Sequence, residues 1–184
     1  MKRWSGSLAT WGSVQGFEYP YMKAGKGRPD PLPQLIDCHR EALQEARQRG
    51  HQHIVLIGKS MGSRVGCHLA LEEPVAALVC LGYPLKGMGK TGKLRDEVLV
   101  QLKTPILFVQ GTRDSLCPLD LLAEVRPRMQ AVNELHVVET GDHSLITTKT
   151  HQKQNGVTQD DIERACLAAI HAFVTKSLAS GRSG

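Results

Sequence analysis

A short apolar run, Ile54-Val55-Leu56-Ile57, passes without interruption into Gly58-Lys59-Ser60-Met61-Gly62, a G-x-S-x-G pattern. A serine in that pattern occupies a sharp turn from strand to helix. Its own backbone is strained, and Gly58 and Gly62 stand where strand and helix come close. The context that the turn requires is present. The preceding run has the length and β-branched content of a buried parallel strand, and Ser63 to Leu71 carries a helical pattern. Read alone, Ser60 could also be a helix N-cap between two packing glycines. Read with its flanks, it is the first candidate nucleophile.

The chain has 184 residues, of which 41% are hydrophobic and 22% charged, enough for one globular domain over 1–184 with a substantial core. A net charge of +5 without a dense Lys/Arg run gives no support to nucleic-acid binding. Cys38, Cys67, Cys80, Cys117 and Cys166 are scattered and contain no C-x-x-C pair. This argues against a disulfide framework and a zinc site, and it points to a reducing, cytoplasmic setting. No metal or organic cofactor is implied. No apolar run reaches the roughly 18 residues that span a bilayer, and Met1-Lys2-Arg3-Trp4 lacks the apolar region of a signal peptide, so no membrane partner is expected.

Apolar runs alternate with longer amphipathic stretches. Strands are expected at Val14 to Tyr19, His53 to Ile57, Val75 to Leu81, Pro105 to Gln110 and Glu134 to Glu139. Helices are expected at Leu35 to Arg49, Ser60 to Leu71, Leu94 to Leu102, Leu119 to Met129 and Thr158 to Leu178, the last with Thr158 as N-cap. Tyr19 to Pro33 and Pro84 to Lys93 read as loops. This alternation implies an α/β fold, a mostly parallel sheet with helices on both faces in a three-layer arrangement. In such sheets reactive groups gather beyond the carboxyl ends of the strands.

That rule brings in two more residues. Gly111-Thr112-Arg113-Asp114 follows one strand and Gly141-Asp142-His143-Ser144 follows the last, which puts Asp114 and His143 on the rim that holds Ser60. A serine hydroxyl attacks a carbonyl only when an imidazole takes its proton and a carboxylate fixes that imidazole's tautomer. The order Ser60, Asp114, His143 is the one expected with this kind of elbow. Asp142 is a rival acid, and Cys117, before Pro118 at a helix start, reads as packing rather than as a second nucleophile.

Two phosphate-site lookalikes fail on chemistry. Gly58-Lys59-Ser60 lacks its upstream glycine, because His53 stands there. Gly87-Met88-Gly89-Lys90-Thr91-Gly92-Lys93 is followed by Leu94 where a metal-binding Ser or Thr is needed. Lys86, Lys90, Lys93 and Arg95 read as solvating cations of a loop or as an attraction for an anionic substrate.

Gly-Lys-Ser-Met-Gly-Ser-Arg at 58–64, Cys-Leu-Gly-Tyr-Pro-Leu at 80–85, Lys-Leu-Arg-Asp-Glu at 93–97, Pro-Ile-Leu-Phe-Val-Gln-Gly-Thr-Arg-Asp at 105–114 and Gly-Asp-His-Ser at 141–144 resemble the α/β-hydrolase fold. More narrowly they resemble its small dienelactone-hydrolase-like branch, which includes a testis-expressed protein and a subunit of a nonspecific-lethal histone acetyltransferase complex. The resemblance implies Ser60 as nucleophile, Asp114 as acid, His143 as base and the Met61 N–H as an oxyanion donor. It implies a serine hydrolase acting on a small-molecule ester or other acyl substrate, with a catalytically weak binding module in a protein assembly as the alternative. The departure lies at the start. No His-Gly turn precedes Trp11, so only the Met61 half of the oxyanion hole is encoded, and the N-terminal strands are short in number. The expectation is that Met1 is an internal start, that the sheet rearranges, or that a homodimer or protein partner covers an open sheet edge.

Overall fold

In the computed structural model, which describes residues 2–87 and 92–180, four strands follow one another in both sequence and space. β1 (Val55–Lys59), β2 (Ala77–Leu81), β3 (Ile106–Gly111) and β4 (Asn133–Val138) pair in the order β1-β2-β3-β4, every neighbour parallel. The helices are α1 (Lys2–Leu8), α2 (Pro20–Lys23), α3 (Leu32–Gln48), α4 (Met61–Glu72), α5 (Glu97–Gln101), α6 (Leu119–Val125), α7 (Lys149–Asn155) and α8 (Gln159–Ser180), with one 3-10 turn at Arg126–Arg128.

Side-chain alternation explains the layering. Leu56, Leu78, Cys80, Ile106 and Phe108 point to one face and pack with Leu43 of α3, Leu69 of α4, Leu99 of α5 and Leu122 of α6. Ala77, Val79, Leu81, Leu107 and Val109 point to the other and meet Trp4 and Leu8 of α1 with Cys166, Ile170 and Phe173 of α8. Residues of β2 and β3 are buried throughout, as expected of strands covered on both sides. The α/β sheet with helices on both faces is therefore as its alternating sequence implied.

The expected strand at Val14 to Tyr19 does not form. Phe17 and Tyr19 turn instead toward α3, where the Phe17 ring lies 4.8 Å from that of His39 and Tyr19 is buried beside Leu35 and Val65. Gln15 binds Glu45 and Arg49. Side-chain packing onto a helix has replaced backbone pairing, so β1 is an edge. The bonds from Ala76 N–H to the Ile54 carbonyl and from Ser60 N–H to that of Leu81 turn the even-numbered residues toward β2. By alternation Val55, Ile57 and Lys59 face outward, and no described backbone group pairs with them.

The remaining differences are local. Helix α2 occupies part of the expected 19–33 loop, and α3 starts early because Pro33 is tolerated in a first helical turn. Helix α7, absent from the sequence reading, has Thr148 as its cap, accepting the His151 N–H at 3.2 Å, and ends at Gly156 in the left-handed region. Thr158 and Asp161 cap α8 reciprocally. The Lys86 to Leu94 connection closes on an antiparallel bridge between those two residues. Positions 88–91, with Lys90 and the middle of the glycine-rich lookalike, lie outside the described residues.

Two outcomes test this arrangement. Leu8→Ala should cost about 2–3 kcal/mol in urea unfolding. Val14→Ala, at a half-exposed position in no strand, should stay within about 0.5 kcal/mol; the reverse ranking would restore the expected strand. Burial also holds the His39 imidazole down to about 4, against its usual 6.5. The unfolded chain then binds a proton between those values that the folded chain refuses. Stability should therefore fall by up to about 3 kcal/mol as pH drops from about 6.5 to 4. His39→Leu should flatten that limb in denaturation series at several pH values, and an unchanged slope would assign it elsewhere.

Candidate active site

Because every strand runs the same way, the segments leaving β1, β3 and β4 emerge on one rim. Ser60 leaves β1 in an uncommon backbone conformation, φ 52 and ψ −116, before α4 begins at Met61. A Cβ built on Gly58 would collide with the Ser63 nitrogen and the Gly62 carbonyl carbon, so the strand approaches the helix backbone as closely as glycine allows. Gly62 differs from the sequence reading. A Cβ there meets nothing within 4 Å, so the turn relies on one glycine for clearance. The Ser60 amide is anchored to the Leu81 carbonyl at 3.0 Å, and the Ser63 hydroxyl donates to the Ser60 carbonyl at 2.6 Å.

Three residues far apart in sequence meet at this turn. His143 Nε2 stands 2.7 Å from Ser60 Oγ, and His143 Nδ1 stands 2.8 Å from Asp114 Oδ2. With a carboxylate at Nδ1 the imidazole carries its proton there, leaving Nε2 to accept from the serine hydroxyl. The Asp114 side chain is fully buried, while that of His143 is 28% exposed and open to a reactant. Burial raises the Asp114 carboxyl. Hydrogen bonds from His143, the Leu116 N–H and Gln110 outweigh that effect and hold it below the usual carboxylate range.

The supporting contacts fix each partner. Asp114 Oδ1 accepts from Leu116 N–H at 2.9 Å, and the Arg113 N–H donates to the Gly141 carbonyl at 2.9 Å, joining the Asp114 and His143 loops. Lys59 Nζ donates to Ser144 Oγ at 3.0 Å, which ties the serine's strand to the histidine's loop. Gly82, at φ +63, faces the histidine. A Cβ there would lie 2.8 Å from the His143 carbonyl oxygen and 3.4 Å from Nδ1. The Met61 N–H has no acceptor among the described residues and is available to a reactant.

Gln110 is a residue that pattern reading missed. Its amide nitrogen donates to Asp114 Oδ2 at 2.5 Å, and its Oε1 accepts the Tyr83 N–H at 3.1 Å. It therefore holds the carboxylate against the end of β2. The available signal was a polar glutamine closing the otherwise apolar Ile106-Leu107-Phe108-Val109 run.

The rival assignments resolve by contact. Asp142 Oδ1 accepts the N–H groups of Ser144 and Ile146, at 2.7 and 3.0 Å, and so shapes the loop that carries His143. Cys117 is buried, and that burial, followed by the nearby Asp114 charge, pushes its thiol up to about 12, away from nucleophilic thiolate chemistry. Among the described residues no group of three His, Cys, Asp or Glu side chains gathers as a metal site. No helix among them is long and apolar enough to cross a membrane.

Comparison with known proteins follows from this geometry. Residues 1–175 match the family model described as Alpha/beta hydrolase domain. An alpha-beta serine hydrolase homologue from Coxiella burnetii superposes with a TM-score of 0.54 at 22% identity, covering 65% of this chain and 57% of that one. A structure from Thermoplasma acidophilum named for a CIB-like hydrolase gives 0.54 at 17% identity over 85% and 65%, respectively. A structure from Klebsiella pneumoniae named for dienelactone hydrolase gives 0.57 at 22% identity over 83% and 67%. At these identities the likeness is one of fold. The chain spans 57% to 67% of the length of these three proteins.

The asymmetry of the two glycines is directly measurable. Gly58→Ala should cost about 1–3 kcal/mol through overpacking at the turn. Gly62→Ala, in an open helical position, should be neutral or stabilise by up to about 1 kcal/mol. Equal destabilisation by both, in chemical denaturation, would contradict the packing described.

Proposed function

Because this chain belongs to the alpha/beta hydrolase domain family, we propose that it is a serine hydrolase that cleaves an ester or related acyl substrate through an acyl-enzyme. The observation that carries this reading is the unbroken path from Ser60 Oγ through His143 to Asp114, at 2.7 and 2.8 Å. In this reading Ser60 Oγ attacks the acyl carbonyl as His143 Nε2 takes its proton, and Asp114 stabilises the imidazolium that results. The tetrahedral oxyanion accepts from the Met61 N–H, the donor that the elbow presents beside the nucleophile. The same proton then passes to the leaving group. Water enters, gives its proton to His143, and attacks the acyl-serine, and return of that proton to Ser60 Oγ frees the acid.

The narrower dienelactone-hydrolase-like membership, with the testis-expressed and nonspecific-lethal complex relatives, belongs to the same proposal and rests on the motifs at 58–64, 80–85, 93–97, 105–114 and 141–144. A reducing, cytoplasmic environment is part of it too, and five unbridged cysteines support that setting.

A fluorophosphonate probe should label the folded protein at Ser60, and Ser60→Ala should abolish the label. Asp114→Asn should lower kcat toward a model ester by about 10⁴-fold while far-UV circular dichroism is unchanged. A folded wild-type protein that neither labels nor turns over the ester would overturn the proposal.

A further inference from the structure

Asp114 sits in the loop after β3, and a carboxylate there can turn about the bond that carries it. Its own loop fixes one oxygen, since Oδ1 accepts the Leu116 N–H at 2.9 Å. The oxygen that faces the histidine, Oδ2, receives two donors, His143 Nδ1–H at 2.8 Å and the Gln110 amide at 2.5 Å. Among the described residues, Gln110 is the one sheet residue bonded to this carboxylate.

The Gln110 amide has a single orientation. Its side chain is fully buried, and its Oε1 accepts the Tyr83 N–H at 3.1 Å, a group that can only donate. Turned over, the amide would set oxygen against the carboxylate and NH2 against an N–H, leaving both of its ends unsatisfied. The Tyr83 end is itself held, because the preceding Gly82 N–H donates to the Val109 carbonyl at 3.0 Å. A Cβ built on Gly82 would stand 3.6 Å from Asp114 Oδ2, so the end of β2 also lies against that oxygen.

We infer that Gln110 is a positioning residue of the hydrolytic reaction: its amide keeps Asp114 ionised and turned toward His143 Nδ1, which leaves Nε2 aimed at Ser60. The inference rests on Ser60 being the nucleophile, and it adds a residue outside the triad on which the rate depends. A donor at Oδ2 favours the charged carboxylate over the neutral acid. The charged form is the one that stabilises the imidazolium formed when His143 takes the serine proton.

Two substitutions separate this role from packing. Gln110→Met keeps the volume and removes both bonds. Gln110→Glu keeps the shape, and while its carboxyl is protonated it repeats both bonds, O–H to Asp114 and C=O to Tyr83. Once ionised, it sets a second negative charge against Oδ2. Two carboxyls so close do not readily ionise together, so that proton leaves well above the ordinary glutamate value of about 4.3. The other titratable groups nearby are common to both proteins. Burial pushes the Cys80 and Cys117 thiols and the Tyr83 phenol upward, and they stay protonated. Asp142 accepts the Ser144 and Ile146 N–H groups, Lys59 is bound to Ser144, and the Arg64 charge bears on Tyr83.

The test measures kcat and KM toward a p-nitrophenyl ester between about pH 5 and 8. Gln110→Met should lower kcat by about 10- to 100-fold with KM within about twofold. The ratio of Gln110→Glu to wild-type kcat should be highest at the acid end and fall by about tenfold or more toward the alkaline end. Independently, the far-downfield proton resonance of the Asp114–His143 bond, identified by its loss in His143→Gln, should move in Gln110→Met. Should Gln110→Met fail to fold, the Gln110→Glu ratio decides alone. A ratio that does not change with pH, or an unchanged kcat in folded Gln110→Met, overturns the inference and leaves the hydrolase reading standing. A Gln110→Glu protein that is unfolded at the acid end, where it carries the wild-type bonds, does the same. A wild-type protein inert toward ester and probe, whose resonance still moves in Gln110→Met, overturns the hydrolase reading and keeps the positioning of Asp114.

Discussion

The contact between Gly58 and the opening turn of α4 is the constraint on which the rest of the site depends. With no side chain at 58, backbone meets backbone, and the residue between them takes a positive φ that an L-residue rarely adopts. That conformation turns the Ser60 side chain out of the sheet and toward the rim, where His143 meets it. The strain is held in place by what surrounds it. The Ser60 amide is locked to β2, its carbonyl is capped by Ser63, and α4 packs on the buried face through Cys67 and Leu69.

The parallel sheet then does the long-range work. Ser60, Asp114 and His143 are separated by dozens of residues, yet each sits just past the end of a strand whose neighbours run in the same direction. The sheet turns sequence distance into lateral distance, and short loop contacts such as Arg113 to Gly141 make up the remainder. Gln110 shows how tightly the ends are coupled, because one amide binds the carboxylate in the loop after its own strand and the backbone leaving the neighbouring β2.

Much of this was legible in the residues, for identifiable reasons. Strands β2 and β3 are apolar on both faces and bounded by Pro, Gly or charged residues, so their existence and order could be read, and the glycine-marked loops placed Asp114 and His143. What could not be read depends on partners distant in sequence. Val14 to Tyr19 has a strand's composition, but whether its aromatic side chains go to a sheet or to α3 is decided by His39, Leu35 and Val65. Helix α1 has no strong amphipathic signature and is held by α8 across the lower face. Gly62 illustrates the limit at a single position: in the motif it looks equivalent to Gly58, and only the direction of its missing side chain separates them. Arg64 likewise reads as an ordinary helix cation, although its Nε is buried with no acceptor among the described residues.

The outward side of β1 follows a different logic from the reactive rim but shares its residues. Val55, Ile57 and Lys59 turn their amides and carbonyls away from β2, and the next residue is Ser60. Any backbone that came to lie along that margin would add its bonds to the very strand that holds the serine. Whatever neighbours this flank therefore bears on the stiffness of the Ser60 turn, because β1 runs straight into it.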